Sequence, residues 1–338
     1  MIILGFESSC DETSVSVLDV DDNKRVILSN KIATQIAIHA LYGGVVPEIA
    51  SRAHCEAISG LTYGALEEAG MTMKDVDAVA VTYSPGLIGA LLVGVTFAKS
   101  LAYSYNKPLI PVNHIKGHVA AAYLSNPGLE APFFAIVVSG GHTSMINVVS
   151  PTDYQPVGRT RDDAAGEAFD KSARKLGLPY PGGKEMDRLA GLGNPDAIKF
   201  PLASINGSLD FSFSGVKTAV FNYLHTCEMR GVTVNREDVA ASFTRTVCDS
   251  IVKQLNNAFK TYGYDKLVMA GGVAANSHLR NAVEAFCRRK RISLYLPDIS
   301  LCGDNAAMIA MQGYYEYKVG NLADVTLVPK ATSGKSTL

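Results

Sequence analysis

The chain has 338 residues, of which 47% are hydrophobic and 19% charged, with 31 basic against 32 acidic side chains and a net charge of −1. That length corresponds to roughly two domains of about 150 residues, and the composition lies far from the low-hydrophobicity, high-charge region where chains stay unfolded. Near-neutrality excludes a free-standing, non-specific nucleic-acid binder, so any contact with RNA has to come from a local patch or through a partner protein.

In chain order, Ile2 to Glu7 is strand-like, Ser8 to Thr13 is a polar turn, and Ser14 to Val20 alternates as a second strand. The run starts without a basic leader and breaks at Glu7, which predicts no secretory signal and a cytoplasmic location. Pro47 to Ala69 has helical spacing, with proline suited to the first turn and Gly70 to the stop. Val76 to Val81 reads as a strand, Gly86 to Tyr103 as a buried helix and Leu109 to Val112 as a strand. The longest near-apolar stretch, Gly86 to Ala98, has 13 residues, short of the about 20 that cross a membrane. Asn126, Pro127 and Gly128 mark a junction within Ser125 to Ala131.

The opening pattern then returns. Phe133 to Val138 is apolar, Ser139 to Thr143 is a glycine-bearing turn, and Ser144 to Val149 alternates, which suggests two related α/β halves. Helical stretches follow at Ala164 to Leu176, Val216 to Tyr223 and Val239 to Tyr262, then a strand at Lys266 to Ala270. A glycine turn and helix start from Gly271, a strand covers Ile292 to Leu296, a last helix starts near Asp304, and the tail after Leu327 is expected to fray. The six cysteines form no Cys-x-x-Cys pair, which predicts reduced thiols without bridges.

Several segments carry chemistry. His114 and His118 are four apart, so a helix puts both imidazoles on one face, either as two ligands of one metal ion or as ordinary polar residues of a helix start. A zinc protease would need a glutamate where Ile115 stands, and an aliphatic side chain takes no proton from water. Ser139-Gly140-Gly141 and the Ser8 to Asp11 turn can surround a phosphate with N–H groups and hydroxyls, or can simply turn a hairpin. Gly271-Gly272 ahead of Asn276 allows close approach of a ligand, with Asn276 reaching a ribose or base. A plain strand-to-helix turn would explain the glycines but leave Asn276 without a task. Asp162 and Asp163 read as dipole-complementing acids of a first helical turn, whereas Asp170 sits too far along for that. Asp304 is either a metal carboxylate or the N-cap of the last helix. Arg280, Arg288, Arg289, Lys290 and Arg291 form the densest basic stretch, either a phosphate contact or a solvated helix end.

Taken in order, Glu7 to Thr13, Gly43 to Arg52, Asn113 to His118, Ser139 to Thr143, Asp163 to Lys171, Asp210 to Gly215, Gly271 to Asn276 and Cys302 to Asn305 resemble the bacterial TsaD family of tRNA threonylcarbamoyladenosine biosynthesis, formerly described as O-sialoglycoprotein endopeptidases. The resemblance runs from residue 1 to about residue 310. It implies an α/β, actin-like ATPase fold with two related lobes around a nucleotide cleft: residues 1–125 with the helix from about 305 packing back on them, and residues 126–304.

The implied reaction moves a threonylcarbamoyl group from threonylcarbamoyl-adenylate to N6 of the adenosine 3′ of the anticodon, in tRNAs reading codons that begin with A. An ATP-dependent kinase or chaperone-like ATPase of the same fold is the alternative. By the same resemblance His114, His118 and Asp304 hold one iron or zinc ion per subunit, and Val137, Val138, Ser139, Gly140, Gly141, Asp170, Gly183, Asp187 and Asn276 hold the adenylate or an ATP nucleotide. Asp11 or Glu12 is the candidate for steering or deprotonating the amine. Implied partners are tRNA, a paralogous actin-like subunit (TsaB) and a small ATPase (TsaE), with no membrane; the helix Pro47 to Ala69 offers an apolar face on which the paralogue can dock. Ser144 departs from relatives that often carry glutamine there.

Overall fold

The computed structural model describes residues 1–202, 205 and 207–332, and the chain divides into two compact units. The first comprises Met1–Ala131, Val148–Gln155 and the chain from Leu296 onward; the second comprises Pro132–Asn147 and Pro156–Tyr295.

In the first unit, β1 (Ile2–Glu7), β2 (Glu12–Val20) and β3 (Arg25–Thr34) form an antiparallel meander. After α1 (Ile36–Ala40) and α2 (Pro47–Glu68), the chain adds β4 (Ala78–Ser84) parallel to β1, crosses over through α3 (Ile88–Ser104), and adds β5 (Leu109–Asn113) parallel to β4. The resulting order is β3-β2-β1-β4-β5. Near-continuous apolar runs in β1 and β4 suit strands buried on both faces. Leu4, Phe6, Val15, Val17, Val79 and Val81 pack with Ile58 of α2 and Val95 of α3 into one core.

In the second unit, β6 (Phe133–Val138), β7 (Thr143–Val148) and β8 (Tyr154–Arg159) precede α5 (Ala165–Lys175), α6 (Gly183–Ala190), α7 (Ser214–Met229) and α8 (Arg236–Tyr262). Strand β9 (Lys266–Ala270) is parallel to β6; a 3-10 turn (Gly272–Ala275), α9 (Ser277–Lys290) and β10 (Ser293–Tyr295) complete it. Its order, β8-β7-β6-β9-β10, repeats that of the first sheet. The duplication predicted from the two hairpins is therefore a duplication of whole sheets, as in the actin-like ATPase fold.

The chain returns to the first unit through α10 (Ile299–Cys302) and α11 (Ala306–Lys318). Helix α11 lies directly on β1: a Cβ on Gly5 would come 2.5 Å from the Ala306 carbonyl oxygen. It also packs on α4 (His114–Ser125), where a Cβ on Gly117 would meet Ile309 at 2.7 Å. Met308, Ile309 and Met311 are fully buried, each stabilising the packed state by about 1.5–3 kcal/mol.

Two edge strands and the tail are among the parts that differ from the sequence expectation. Strand β3 is an addition, because an edge strand with one packed face shows only broken alternation. Strand β8 contains Pro156 and Gly158, tolerated because it too is an edge. The tail does not fray as far as Ala331: the Lys330 N–H donates to the Tyr83 carbonyl at 2.9 Å, and the Gly86 N–H donates to that of Ala331 at 3.1 Å. No helix among the described residues is long and apolar enough to cross a membrane.

Candidate active site

Helix α4 starts at the end of β5, where the Asn113 side chain caps it by accepting from the N–H groups of Ile115 and Lys116. That start fixes the spacing of the two histidines. His114 and His118 stand one turn apart with ring centroids 4.6 Å from each other, edge to face. Ile115, in the place of a protease glutamate, is buried in the core.

Asp304 arrives from the loop before α11 and lies 3.6 Å from Nε2 of His114 and 3.2 Å from Nε2 of His118. One donor atom from each of the three residues lies within 4.8 Å of the others. Asp304 is not the helix cap; Asn305 is, accepting from the Met308 N–H at 3.1 Å. The Asn305 amide also donates to the carbonyls of Leu301 and Gly303, so one buried side chain clamps the loop that presents Asp304.

The environment of the two rings decides what this cluster fits. His118 is 0% exposed, yet neither of its ring nitrogens makes a hydrogen bond; the short approach to Asp304 is off the hydrogen-bond direction. A fully buried imidazole left this way is costly unless something else meets its lone pair. His114 is held from behind: Nδ1 lies 3.0 Å from Oε2 of Glu7 and 3.2 Å from the Ser9 hydroxyl. A carboxylate on Nδ1 puts the proton there and turns the Nε2 lone pair toward Asp304, as in metal-binding histidines backed by an acid. Two imidazoles and one carboxylate suit iron or zinc equally. The residues present therefore fit a single metal ion.

Around this cluster the charge is mostly negative. Burial works to lower the pKa of His114, but the carboxylates of Glu7 and Asp304 overcome it and raise it to about 9. Burial, and then the charges of Asp304 and Asp11, push Glu12 up to about 9. Asp11 and Glu12 sit where the first polar turn enters β2, and the turn is braced from three directions. The Ser9 carbonyl accepts from the Leu87 N–H at 2.8 Å and that of Asp11 accepts from the Gln35 N–H at 3.0 Å. The Cys10 carbonyl lies 3.0 Å from Nε2 of the buried His54, whose Nδ1 lies 2.7 Å from the Thr13 hydroxyl.

The remaining candidate residues all belong to the second unit and form one continuous chain of contacts there. Val137 and Val138 end β6, and Ser139 turns the chain, its N–H bonded to the His142 carbonyl at 2.8 Å. A Cβ on Gly166, at the start of α5, would come 2.7 Å from Cα of Gly140. One turn along α5, Asp170 accepts from the Gly182 N–H at 2.8 Å, which fixes the start of α6 at Gly183. Asp187 on α6 accepts from Ser277 at the start of α9, next to Asn276. Gly271 closes the chain of contacts against Val138.

The glycines here divide into two kinds. Gly271, at φ +94°, has no room for a Cβ, which would sit 2.5 Å from the Val138 carbonyl oxygen. By contrast, a Cβ on Gly140, Gly141, Gly183 or Gly272 would meet nothing within 4 Å. Packing does not require glycine at those four positions, and the space beside their Cα atoms stays open to a ligand.

Several sequence readings are thereby corrected. Asn276 does have a structural task, since its side chain caps α9 by accepting from the Leu279 N–H at 2.9 Å. Asp162 and Asp163 precede α5 instead of lying in its first turn. Asp162 accepts from the N–H groups of Phe213 and Ser214, while Asp163 pairs with Lys171 and Lys217. Arg288, Arg289 and Lys290 occupy the exposed last turn of α9, where they complement its C-terminus. Sequence reasoning missed Glu7, His54 and Asn305 as supports of the site. The available signal was an acid or an amide bordering an apolar run, which gives no hint of the distant partner.

Comparison with known proteins adds an independent finding. The family model described as tRNA N6-adenosine threonylcarbamoyltransferase matches residues 26–311. A protein of that name from Clostridium botulinum (strain 657 / Type Ba4) is 50% identical over 336 residues, covering 98% of both chains. One from Clostridium perfringens (strain 13 / Type A) is 51% identical over 330 residues, covering 97% of this chain and 96% of the relative. Among solved structures, HypF from T. kodakarensis superposes with a TM-score of 0.63 at 12% identity, covering 95% of this chain and 48% of that one. Component A of the Acidaminococcus fermentans (R)-2-hydroxyglutaryl-CoA dehydratase gives 0.57 at 16% identity, covering 94% and 98%. At such identities the likeness concerns the fold alone.

Proposed function

Because the chain belongs to the tRNA N6-adenosine threonylcarbamoyltransferase family, we propose that it transfers the threonylcarbamoyl group of threonylcarbamoyl-adenylate to N6 of the adenosine 3′ of the anticodon. The recipients are tRNAs reading codons that begin with A. The exocyclic amine of adenine is a poor nucleophile because its lone pair is delocalised into the ring. It needs an activated acyl donor, and a mixed carbamic–phosphoric anhydride provides one, with AMP as leaving group.

His114, His118 and Asp304 are the residues that would hold one iron or zinc ion; when bound, it supplies Lewis-acid polarisation of the donor and charge stabilisation. The buried, unpartnered His118 beside Asp304 is the observation that carries this reading. Glu7 holds the His114 proton on Nδ1, and Asn305 keeps Asp304 in place. The Ser139-Gly140-Gly141 turn receives the phosphate of the adenylate through the Gly140 and Gly141 amides, with Val137 and Val138 behind them. Asp170 shapes the Gly182–Gly183 turn, Asp187 takes the ribose, and the Asn276 amide N–H groups remain for the ligand while its oxygen caps α9. Asp11 or Glu12, braced at the first turn, steers or deprotonates the incoming amine.

The near-neutral chain holds tRNA together with partners: a paralogous actin-like subunit seated on α2, where Cys55, Ser59 and Tyr63 are exposed, and a small ATPase. A reaction on tRNA fits the cytoplasm. The test is a reconstituted assay with synthetic threonylcarbamoyl-adenylate, unmodified tRNA and the partner subunits, alongside metal analysis of anaerobically purified protein. We expect modified adenosine from the wild-type chain and a loss of both metal and product in His118→Ala. Full modification by a metal-free His118→Ala protein would overturn the reading.

A further inference from the structure

We propose that His278 is a positioning residue for the adenylate, acting through Asp187. The inference rests on the reading that Asp187 takes the ribose. Asp187 lies mid-way along α6, with Gly183 one turn before it and Gly191 one turn after it on the same helix face. The two oxygens of its carboxylate are used unequally. Oδ1 accepts from Nδ1 of His278 at 2.8 Å, from the Ser277 hydroxyl at 3.0 Å, from the Ser277 N–H at 3.1 Å and, more weakly, from the His278 N–H at 3.4 Å. Among the described residues, Oδ2 is met only by that same Ser277 N–H, at 3.1 Å. A carboxylate oxygen has about two lone-pair sites. Oδ1 is therefore saturated, and Oδ2 keeps acceptor capacity for a hydroxyl pair.

His278 stands on the Gly191 side of the carboxylate, where a Cβ on Gly191 would lie 4.0 Å from its Cε1. That is the side away from Gly183, where a Cβ would meet nothing within 4 Å. The imidazole thus backs the acid and does not compete for the ligand. Donation from Nδ1 to a carboxylate sets the tautomer and holds the Asp187 side chain in one rotamer. Without it, the contacts that remain come from Ser277 and the His278 backbone N–H, all at 3.0 Å or longer, and they hold the open oxygen toward the substrate less firmly.

His278 is about one-third exposed, so its replacement does not threaten folding. The experiment measures steady-state kinetics in adenylate, and calorimetric titration with AMP as the probe, for His278→Leu, His278→Asn and Asp187→Asn in the reconstituted complex. One lost charge-assisted hydrogen bond corresponds to a weakening of about tenfold to a hundredfold. We expect His278→Leu to raise the KM for adenylate and the Kd for AMP by that factor, with kcat and the KM for tRNA within about twofold, the pattern of lost uniform binding. His278→Asn, whose amide N–H can replace Nδ1–H, restores both. If Asp187→Asn weakens AMP but His278→Leu does not, the positioning role fails and the ribose reading survives. If Asp187→Asn leaves AMP binding intact, the ribose reading fails and takes this inference with it.

Discussion

The carboxylate of Glu7 stands 3.0 Å behind Nδ1 of His114, while Nε2 of the same ring faces Asp304 at 3.6 Å. Glu7 is itself held by the Thr82 hydroxyl and the Ser9 N–H, both at 2.6 Å, so its position is set by β4 and by its own turn. Removing its charge while keeping its shape should weaken the metal site without dismantling the fold. We expect Glu7→Gln to lower metal affinity by about ten- to a hundredfold, measured by competition with a graded series of chelators. Unchanged retention of the ion in that series would show that the acid is only a structural partner of the histidine.

Asn305 joins the stability of α11 to the geometry of Asp304. Replacing it by alanine removes an N-cap, which costs about 1–2 kcal/mol, and frees two loop carbonyls from their donor. Denaturant unfolding of Asn305→Ala should shift by that amount, and its metal content should fall although all three ligands remain. A variant that loses stability but binds metal like the wild type would separate the cap from the clamp.

The two kinds of glycine make opposite predictions. Gly271→Ala forces a Cβ into the Val138 backbone at a positive φ, a strain of about 1–3 kcal/mol, and should lower the melting temperature. Gly141→Ala meets nothing within 4 Å, so its stability should stay within about 0.5 kcal/mol of wild type. Its KM for adenylate should nevertheless rise about tenfold, since the added methyl occupies the open space beside the turn and the phosphate is pushed off one hydrogen-bonded contact. Thermal melts and kinetics on the same two preparations decide the matter; an inert Gly141→Ala would remove the phosphate from that turn.

His54 predicts a pH effect on stability. Its burial holds the imidazole below its ordinary pKa, with the Cys10 carbonyl opposing in part. The folded state then binds fewer protons than the unfolded chain below pH about 6.5. The stabilisation is present above that pH and is lost as pH falls through the depressed folded value. We expect the melting temperature to drop between pH 7 and pH 5, and His54→Gln, which cannot titrate, to show a shallower drop from a lower starting point. Parallel slopes for the two proteins would assign the acid sensitivity to other groups.

The local features were legible along the chain because they depend on near neighbours. The β1–turn–β2 pattern and its return at β6 and β7 announced two related halves, and the i, i+4 spacing of His114 and His118 announced one helix face. The edge strands β3 and β8 and the short polar helix α6 were not legible, since an element with little buried surface has no clear apolar period. Family resemblance named the ligand set, but spacing alone left Asp304 undecided between ligand and cap.

Tertiary packing settled what hydropathy cannot encode, namely which remote segments share a neighbourhood. Helix α11 descends on β1 and α4 at Gly5 and Gly117, and that close approach carries the loop of Asp304 to the two imidazoles. The same packing sets Glu7 behind one ring and leaves the other without a hydrogen bond. A side chain's polarity can be read from its letter, whereas its partner depends on how layers close over one another, and in this protein those closures turn ordinary acids and histidines into a site.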